Sequence, residues 1–145
     1  MSVKRILILD DEQSITFSLS HCLQSESVYV VSCQDSLSAM RALAESKIDV
    51  IIADVRLSVI NPFEAIHFIR HVRSLHFDVP LIMMSGTEDL KMEVLRAGAS
   101  YFFLKPLDVD RLIQLLRSFG VEAGRMDTAK GPSGSPYTRT AYGVS

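Results

Sequence analysis

Five short apolar runs alternate with longer segments of helical periodicity, and this alternation constrains the fold more than any other feature of the chain. Arg5-Ile6-Leu7-Ile8-Leu9 is apolar after its first residue and ends in acid, the pattern of a strand buried on both faces. Val28 to Cys33, Ile48 to Ala53, Pro80 to Met84 and Tyr101 to Leu104 read as four more strands, with β-branched or aromatic residues suited to a pleated surface. Between them, Ser14 to Ser25 carries Ile15, Leu19, Cys22 and Leu23 as one helical stripe. Ser36 is a candidate N-cap for a helix over Leu37 to Ser46. Pro62 suits the first turn of a helix reaching about His71, with Ile66 and Ile69 inward. A fourth helix is predicted over Glu88 to Ala97, stopped by Gly98. Asp108 caps a fifth, in which Val109, Leu112, Ile113 and Leu116 share a face and which Gly120 ends. Strict alternation of this kind predicts an α/β fold: a doubly wound, five-stranded parallel sheet with helices on both faces, (βα)5 and flavodoxin-like.

A chain of 145 residues suits one domain, and its 48% apolar content supplies a core that needs no staples. A net charge of −2 offers no basic field to hold nucleic acid. The longest apolar runs fall short of a membrane span. Cys22 and Cys33 form no CxxC, and no secretory segment precedes them, so they are expected as reduced thiols in a cytoplasmic protein. From Val121 the composition shifts towards Gly, Ser, Thr and Pro. Residues 1–120 are therefore expected to form the domain, and 121–145 a flexible tail or linker of the kind that leads into an effector.

Functional groups in an open parallel sheet collect just past the carboxyl ends of its strands. The first strand runs into Asp10-Asp11-Glu12, the third into Asp54, the fourth into Ser85 and the fifth into Lys105-Pro106. Nothing comparable follows the second strand, which lies at the border in the order 2-1-3-4-5. Clustered carboxylates repel one another and call for a cation, and hard oxygen donors suit Mg²⁺. Such an ion also bridges a carboxylate to a phosphoryl oxygen. Lys105 adds a point charge and Ser85 a hydroxyl donor for the same group. This is the equipment of phosphoryl transfer to a carboxylate nucleophile.

The segments ILILDDEQS, IDVIIADVRL, MMSGT and GASYFFLKPL, in this order and strand context, resemble the receiver domains of two-component response regulators over about Lys4 to Gly120. The resemblance implies that Asp54 is the phospho-acceptor and that Asp10 and Asp11 are metal ligands with Asp54 and the backbone carbonyl of Arg56. It implies that Ser85 and Lys105 read the phosphoryl group and that Phe102 is the aromatic whose rotamer follows it. A sensor histidine kinase or phosphotransfer protein is implied as donor, Mg²⁺ as cofactor, and self-assisted phosphorylation and hydrolysis rather than turnover of a separate substrate. Homodimerisation through the face of the fourth helix, fifth strand and fifth helix is a further expectation.

The chain departs from the family pattern in places. Ser58 stands where Pro is common and Pro62 where Gly is common, so the loop after Asp54 is atypical. Phe102 lacks the hydroxyl of the commoner tyrosine and acts through burial and shape. Arg56 and Thr87 occupy the positions that shape water access, so an altered phosphate lifetime is expected, with Glu88 a candidate partner for Arg56. Two other function classes compete. A small Mg²⁺-dependent phosphatase with an Asp nucleophile usually has a second acid where this chain has Arg56. A flavodoxin-like ligand binder wants a Gly- or Ser/Thr-rich loop after the first strand, where this chain has acids. A degenerate, unphosphorylated receiver is disfavoured by the complete residue set. Ser85-Gly86-Thr87 also reads as an N-cap signal. His67 and His71, at metal-compatible spacing, lack an evident third ligand.

Overall fold

Each apolar run becomes a strand because both of its faces find helices to pack on. The structure, a computed structural model, describes residues 3–57, 61, 63–76 and 78–124. The order is β1 (Lys4–Leu9), α1 (Gln13–Leu23), β2 (Val28–Cys33), α2 (Ser36–Glu45), β3 (Val50–Asp54), α3 (Glu64–Leu75), β4 (Leu81–Ser85), α4 (Lys91–Ala97), β5 (Tyr101–Leu104) and α5 (Val109–Ser118). The strands are all parallel and lie in the order β2-β1-β3-β4-β5.

Alternation along the central strands sorts their side chains into two cores. Leu7, Leu9, Ile51, Ala53, Leu81 and Met83 pack with α2, α3 and α4 residues on one face. Ile6, Ile8, Val50, Ile52, Ile82 and Met84 pack with α1 and α5 residues on the other. Every residue of β3 is buried, while the border strand β5 has none that is fully buried. Each wholly buried Leu or Ile contributes about 1.5–3 kcal/mol of transfer free energy. The three central strands are thus packed on both faces, which holds their carboxyl ends in place.

The ends of the helices depart from the sequence expectations, for local reasons. The N-cap of α2 is Asp35, not Ser36: the Asp35 carboxylate accepts from the Ser38 amide at 2.7 Å. The Ser36 hydroxyl instead donates to Glu64 Oε2 at 2.7 Å and joins the first turns of α2 and α3. α3 runs a turn past His71, because Val72 is buried and continues its apolar stripe. Pro62 and Ser58 lie outside the described residues. α4 starts at Lys91 rather than Glu88, and its cap, Leu90, makes no side-chain bond. Ser85-Gly86-Thr87 is not the cap of this helix. Ser85 Oγ accepts from the Thr87 amide at 3.2 Å and Thr87 Oγ1 from the Asp89 amide at 3.4 Å, local bonds that compete with helix formation. Asp108 caps α5 as expected, accepting from the Arg111 amide.

Packing continues past Gly120. Val121 and Ala123 are buried, the Arg117 guanidinium donates to the Ala123 carbonyl at 3.0 and 3.2 Å, and the Gly124 amide bonds the Leu23 carbonyl at the end of α1. The rest of the expected tail, 125–145, lies outside the described residues. Among the described residues, no helix is long and apolar enough to cross a membrane. Both cysteines are free, and burial raises both thiols above their ordinary pKa.

Gly98 ends α4 with φ +128°, and a Cβ there would lie 2.7 Å from Arg73 Cγ. Gly98→Ala is therefore expected to lower stability by about 1–3 kcal/mol, read as a lower urea midpoint with an unchanged m-value. An unchanged midpoint would show that Arg73 yields without cost.

Candidate phosphoryl-acceptor site

The site is built where β1, β3 and β5 end. Asp10 follows β1 and is fully buried, its amide bonded to the Cys33 carbonyl of β2 at 3.1 Å. Its Oδ1 accepts from the Glu12 amide at 3.0 Å, a bond that turns the chain into α1. Asp54 is the last residue of β3 and is 6% exposed. Its Oδ1 accepts from the Arg56 amide at 3.3 Å. Lys105, directly after β5, bridges the two carboxylates: Nζ is 3.2 Å from Asp10 Oδ2 and 3.2 Å from Asp54 Oδ2. Asp11 is exposed, and carboxylate oxygens of Asp10, Asp11 and Asp54 all lie within 4.8 Å of one another. Among the described residues this is the only His, Cys, Asp or Glu group of three or more able to hold a metal, so His67 and His71 gain no third ligand there. Its oxygen donors, one of them facing solvent, suit a hard divalent cation that keeps some water.

Among the described residues, no hydrogen bond or ion pair from the side chains of Ser85, Phe102 or Arg56 reaches this cluster. Ser85 is half-buried at the end of β4, beside β3, and its hydroxyl is engaged with Thr87. Its carbonyl accepts from the Lys105 amide at 2.8 Å, which ties the serine and lysine positions together. The peptide between Lys105 and Pro106 is cis. Phe102 packs at the margin of the α2–α3–α4 core, opposite Met83 in the sheet. Phe103 points to the other core, as strand alternation requires. Arg56 is exposed, and no ion pair joins it to Glu88 among the described residues. The sequence did not single out the Cys33 carbonyl or the Glu12 amide as supports of Asp10. Backbone partners carry no residue-type signal.

Burial dominates the electrostatics. It raises the Asp10 carboxyl to about 6, with the Glu12 amide and Lys105 pulling it back and Asp54 adding to it. Burial likewise raises Asp54, against the pull of Lys105 and the Arg56 amide. Burial works against the Lys105 charge, but Asp54 and Asp10 outweigh it and raise the ammonium above its ordinary value. The cluster thus holds excess negative charge that one lysine does not neutralise, which is the condition under which a cation binds.

This electrostatics has a pH signature. The folded Asp10 carboxyl keeps its proton up to about pH 6, whereas an ordinary one releases it near 3.8. The folded state binds more protons in that window, so this contribution to stability is present below it and is lost as pH rises through about 6. In metal-free buffer, Asp10→Asn is expected to raise the thermal midpoint by several degrees at neutral pH and to lose that advantage progressively as pH falls from about 6 to 3.8. Equal midpoints at neutral pH would show that Lys105 already offsets the buried charge.

The model of the response regulator receiver domain matches residues 6–117. The CAI-1 autoinducer sensor kinase/phosphatase CqsS of Vibrio cholerae is 28% identical over 112 residues, covering 76% of this chain and 16% of that protein. The regulatory protein AtoC of Escherichia coli is 27% identical over 113 residues, covering 77% of this chain and 24% of that protein. This chain therefore spans only a small part of the length of these relatives. Among solved structures, the chemotaxis response regulator CheY4 of Vibrio cholerae aligns with a TM-score of 0.70 at 27% identity, over 81% of this chain and 99% of that one. A signal receiver domain of an HD domain-containing protein from Pseudomonas fluorescens aligns at 0.73 with 20% identity, over 82% and 88% of the two chains, a likeness of fold alone. Sheet order, acidic cluster and a match spanning most of the described chain converge, and the protein belongs to the response regulator receiver domain family, the phosphoryl-accepting signalling switches of two-component systems.

Proposed function

We propose that Asp54 is the residue that accepts the phosphoryl group, from a phosphohistidine on a sensor histidine kinase or phosphotransfer protein. Receiver domains interact with such partners and are signalling domains, generally not classed as enzymes. The observation that carries the reading is the Lys105 ammonium held 3.2 Å from both Asp10 and Asp54, with Asp54 at the end of β3, a strand buried along its whole length. An Asp54 oxygen attacks phosphorus, the P–N bond to the donor imidazole breaks, and an acyl phosphate forms. Lys105 leaves its bridging position to hold a phosphoryl oxygen, and the Ser85 hydroxyl leaves Thr87 to donate to another. Phe102 follows into the space that Ser85 vacates. Asp10, Asp11, Asp54 and the Arg56 carbonyl would hold Mg²⁺, which when bound neutralises charge on the transferring group.

The changed surface is the output. Met92, Tyr101 and Leu104 are 55%, 40% and 43% exposed on α4 and β5. Tyr101 also stacks at a tilt on Phe119, just past α5, with ring centroids 5.8 Å apart. An apolar face of this kind supports a homodimer through α4, β5 and α5. A cytoplasmic location accompanies the reading, since free thiols at Cys22 and Cys33 suit a reducing compartment.

Incubation with acetyl phosphate and Mg²⁺ is expected to add one phosphoryl mass to the intact protein, and Asp54→Asn is expected to abolish the adduct. A persistent adduct in Asp54→Asn would move the acceptor elsewhere. Arg56 is exposed, and its backbone amide is bonded to Asp54. In this reading its long cation shields the phosphoryl oxygens from water. Arg56→Ala is expected to shorten the adduct's half-life by ~2–5-fold, the size of an exposed charge pair. Equal decay rates would remove Arg56 from the chemistry.

A further inference from the structure

The two ends of α4 are held in very different ways. At the carboxyl end, one side chain gathers four segments. Arg73 Nε donates to the Gly98 carbonyl at 2.8 Å, and its Nη1 donates to the carbonyls of Val79 at 2.7 Å and His76 at 3.2 Å. Its Nη2 lies 3.1 Å from Ser100 Oγ, which in turn accepts from the Leu81 amide at 3.0 Å. The Ser100 amide closes the ring on the Leu81 carbonyl at 2.8 Å. A single guanidinium therefore joins the end of α3, the start of β4, the end of α4 and the start of β5. Charge-assisted bonds from a planar fork hold geometry well, and Gly98 is already confined by its φ of +128° and by Arg73 Cγ beneath it.

Among the described residues the amino end has no such clamp. Leu90 caps it without a side-chain bond, and the preceding residues are occupied with the Ser85 and Thr87 hydroxyls. Val94 and Leu90 pack on the core below. Besides this packing, the Lys91 ammonium reaches across to β5 and lies 5.8 Å from the centroid of the Phe102 ring. Lys91 is half-exposed, so this cation–π contact is weak enough to be released by a modest change in its surroundings.

We propose that Lys91 and Arg73 are positioning residues of the switch: Lys91 latches the amino end of α4 to the Phe102 ring, and Arg73 fixes the carboxyl end as a pivot. Displacement of Phe102 then frees one end of α4 and leaves the other in place. Met92, next to the latch, moves relative to Tyr101 and Leu104, and the apolar face is remodelled by rotation rather than by melting of the helix. This inference rests on the reading of Asp54 as acceptor and of Phe102 as the aromatic that answers it.

The test is amide hydrogen exchange by NMR on the full chain with Mg²⁺, before and after acetyl phosphate, with intact mass taken on the same samples. In the unmodified protein, Lys91→Met is expected to speed exchange at Val94 by ~2–5-fold, the size of a half-exposed cation–π contact, while Ser100 stays unchanged and Lys91→Arg keeps the wild-type rates. In the wild type carrying the adduct, Val94 is expected to speed up and Ser100 to stay protected. Unchanged exchange at Val94 in Lys91→Met, or Lys91→Arg behaving like Lys91→Met, overturns the latch. Equal acceleration at Val94 and Ser100 on adduct formation overturns the pivot. Arg73→Lys, which keeps the charge and loses the fork, is expected to speed exchange at Ser100, and no change there removes Arg73 as the clamp. Absence of an adduct would defeat the reading of Asp54 alone, because the comparison in unmodified protein tests the latch without it.

Discussion

Everything at the functional edge of this protein follows from burying Asp10 and Asp54 beside each other. Two carboxylates at the ends of interior strands lose most of their water, and their proximity adds repulsion. Lys105 returns part of that cost through two contacts, at the expense of its own solvation. The balance leaves a concentrated negative field at a rigid point. A sheet buried on both faces makes this possible, because β1 and β3 cannot shift to relieve the strain without breaking two cores at once.

The same rigidity would make a small chemical change at Asp54, the proposed acceptor, readable elsewhere. The central strands are packed on both faces while β5 and α4 are less buried, so any adjustment would fall on this margin. Lys105 and Ser85 are joined through one backbone hydrogen bond, and Phe102 lies on β5, the short strand that leads into Lys105. Discrete side-chain arrangements at such a margin transmit a signal more effectively than elastic deformation of a core. Firm anchoring of α4 at Gly98 would give that margin a direction of movement.

Much of the architecture was legible in the residues because burial on both faces leaves a strong mark. ILIL, VIIA and LIMM have no polar interruption, and the chain must alternate them with helices to cover two faces. The clustering of the acids with the lysine was legible for a related reason: groups directly after such runs gather at the carboxyl edge of a parallel sheet. Helix ends were less so. Asp35 and Ser36 are both good caps by type, and only the position of Glu64 shows why the serine turns away. The late start of α4 depends on two hydroxyls choosing backbone amides over a helical turn. The Arg73 clamp has no sequence signature, since its acceptors are mostly carbonyls.

The sequence by itself determined the alternation of elements, the two buried faces of the sheet and the set of groups that gather at its carboxyl edge, because periodicity and residue type act locally. The tertiary structure decided the rest: that Lys105 bridges Asp10 and Asp54, that Phe102 lies beneath Lys91, and that residues 121–124 fold back onto α1. These depend on distances between segments far apart in the chain, which become fixed only once both cores have packed.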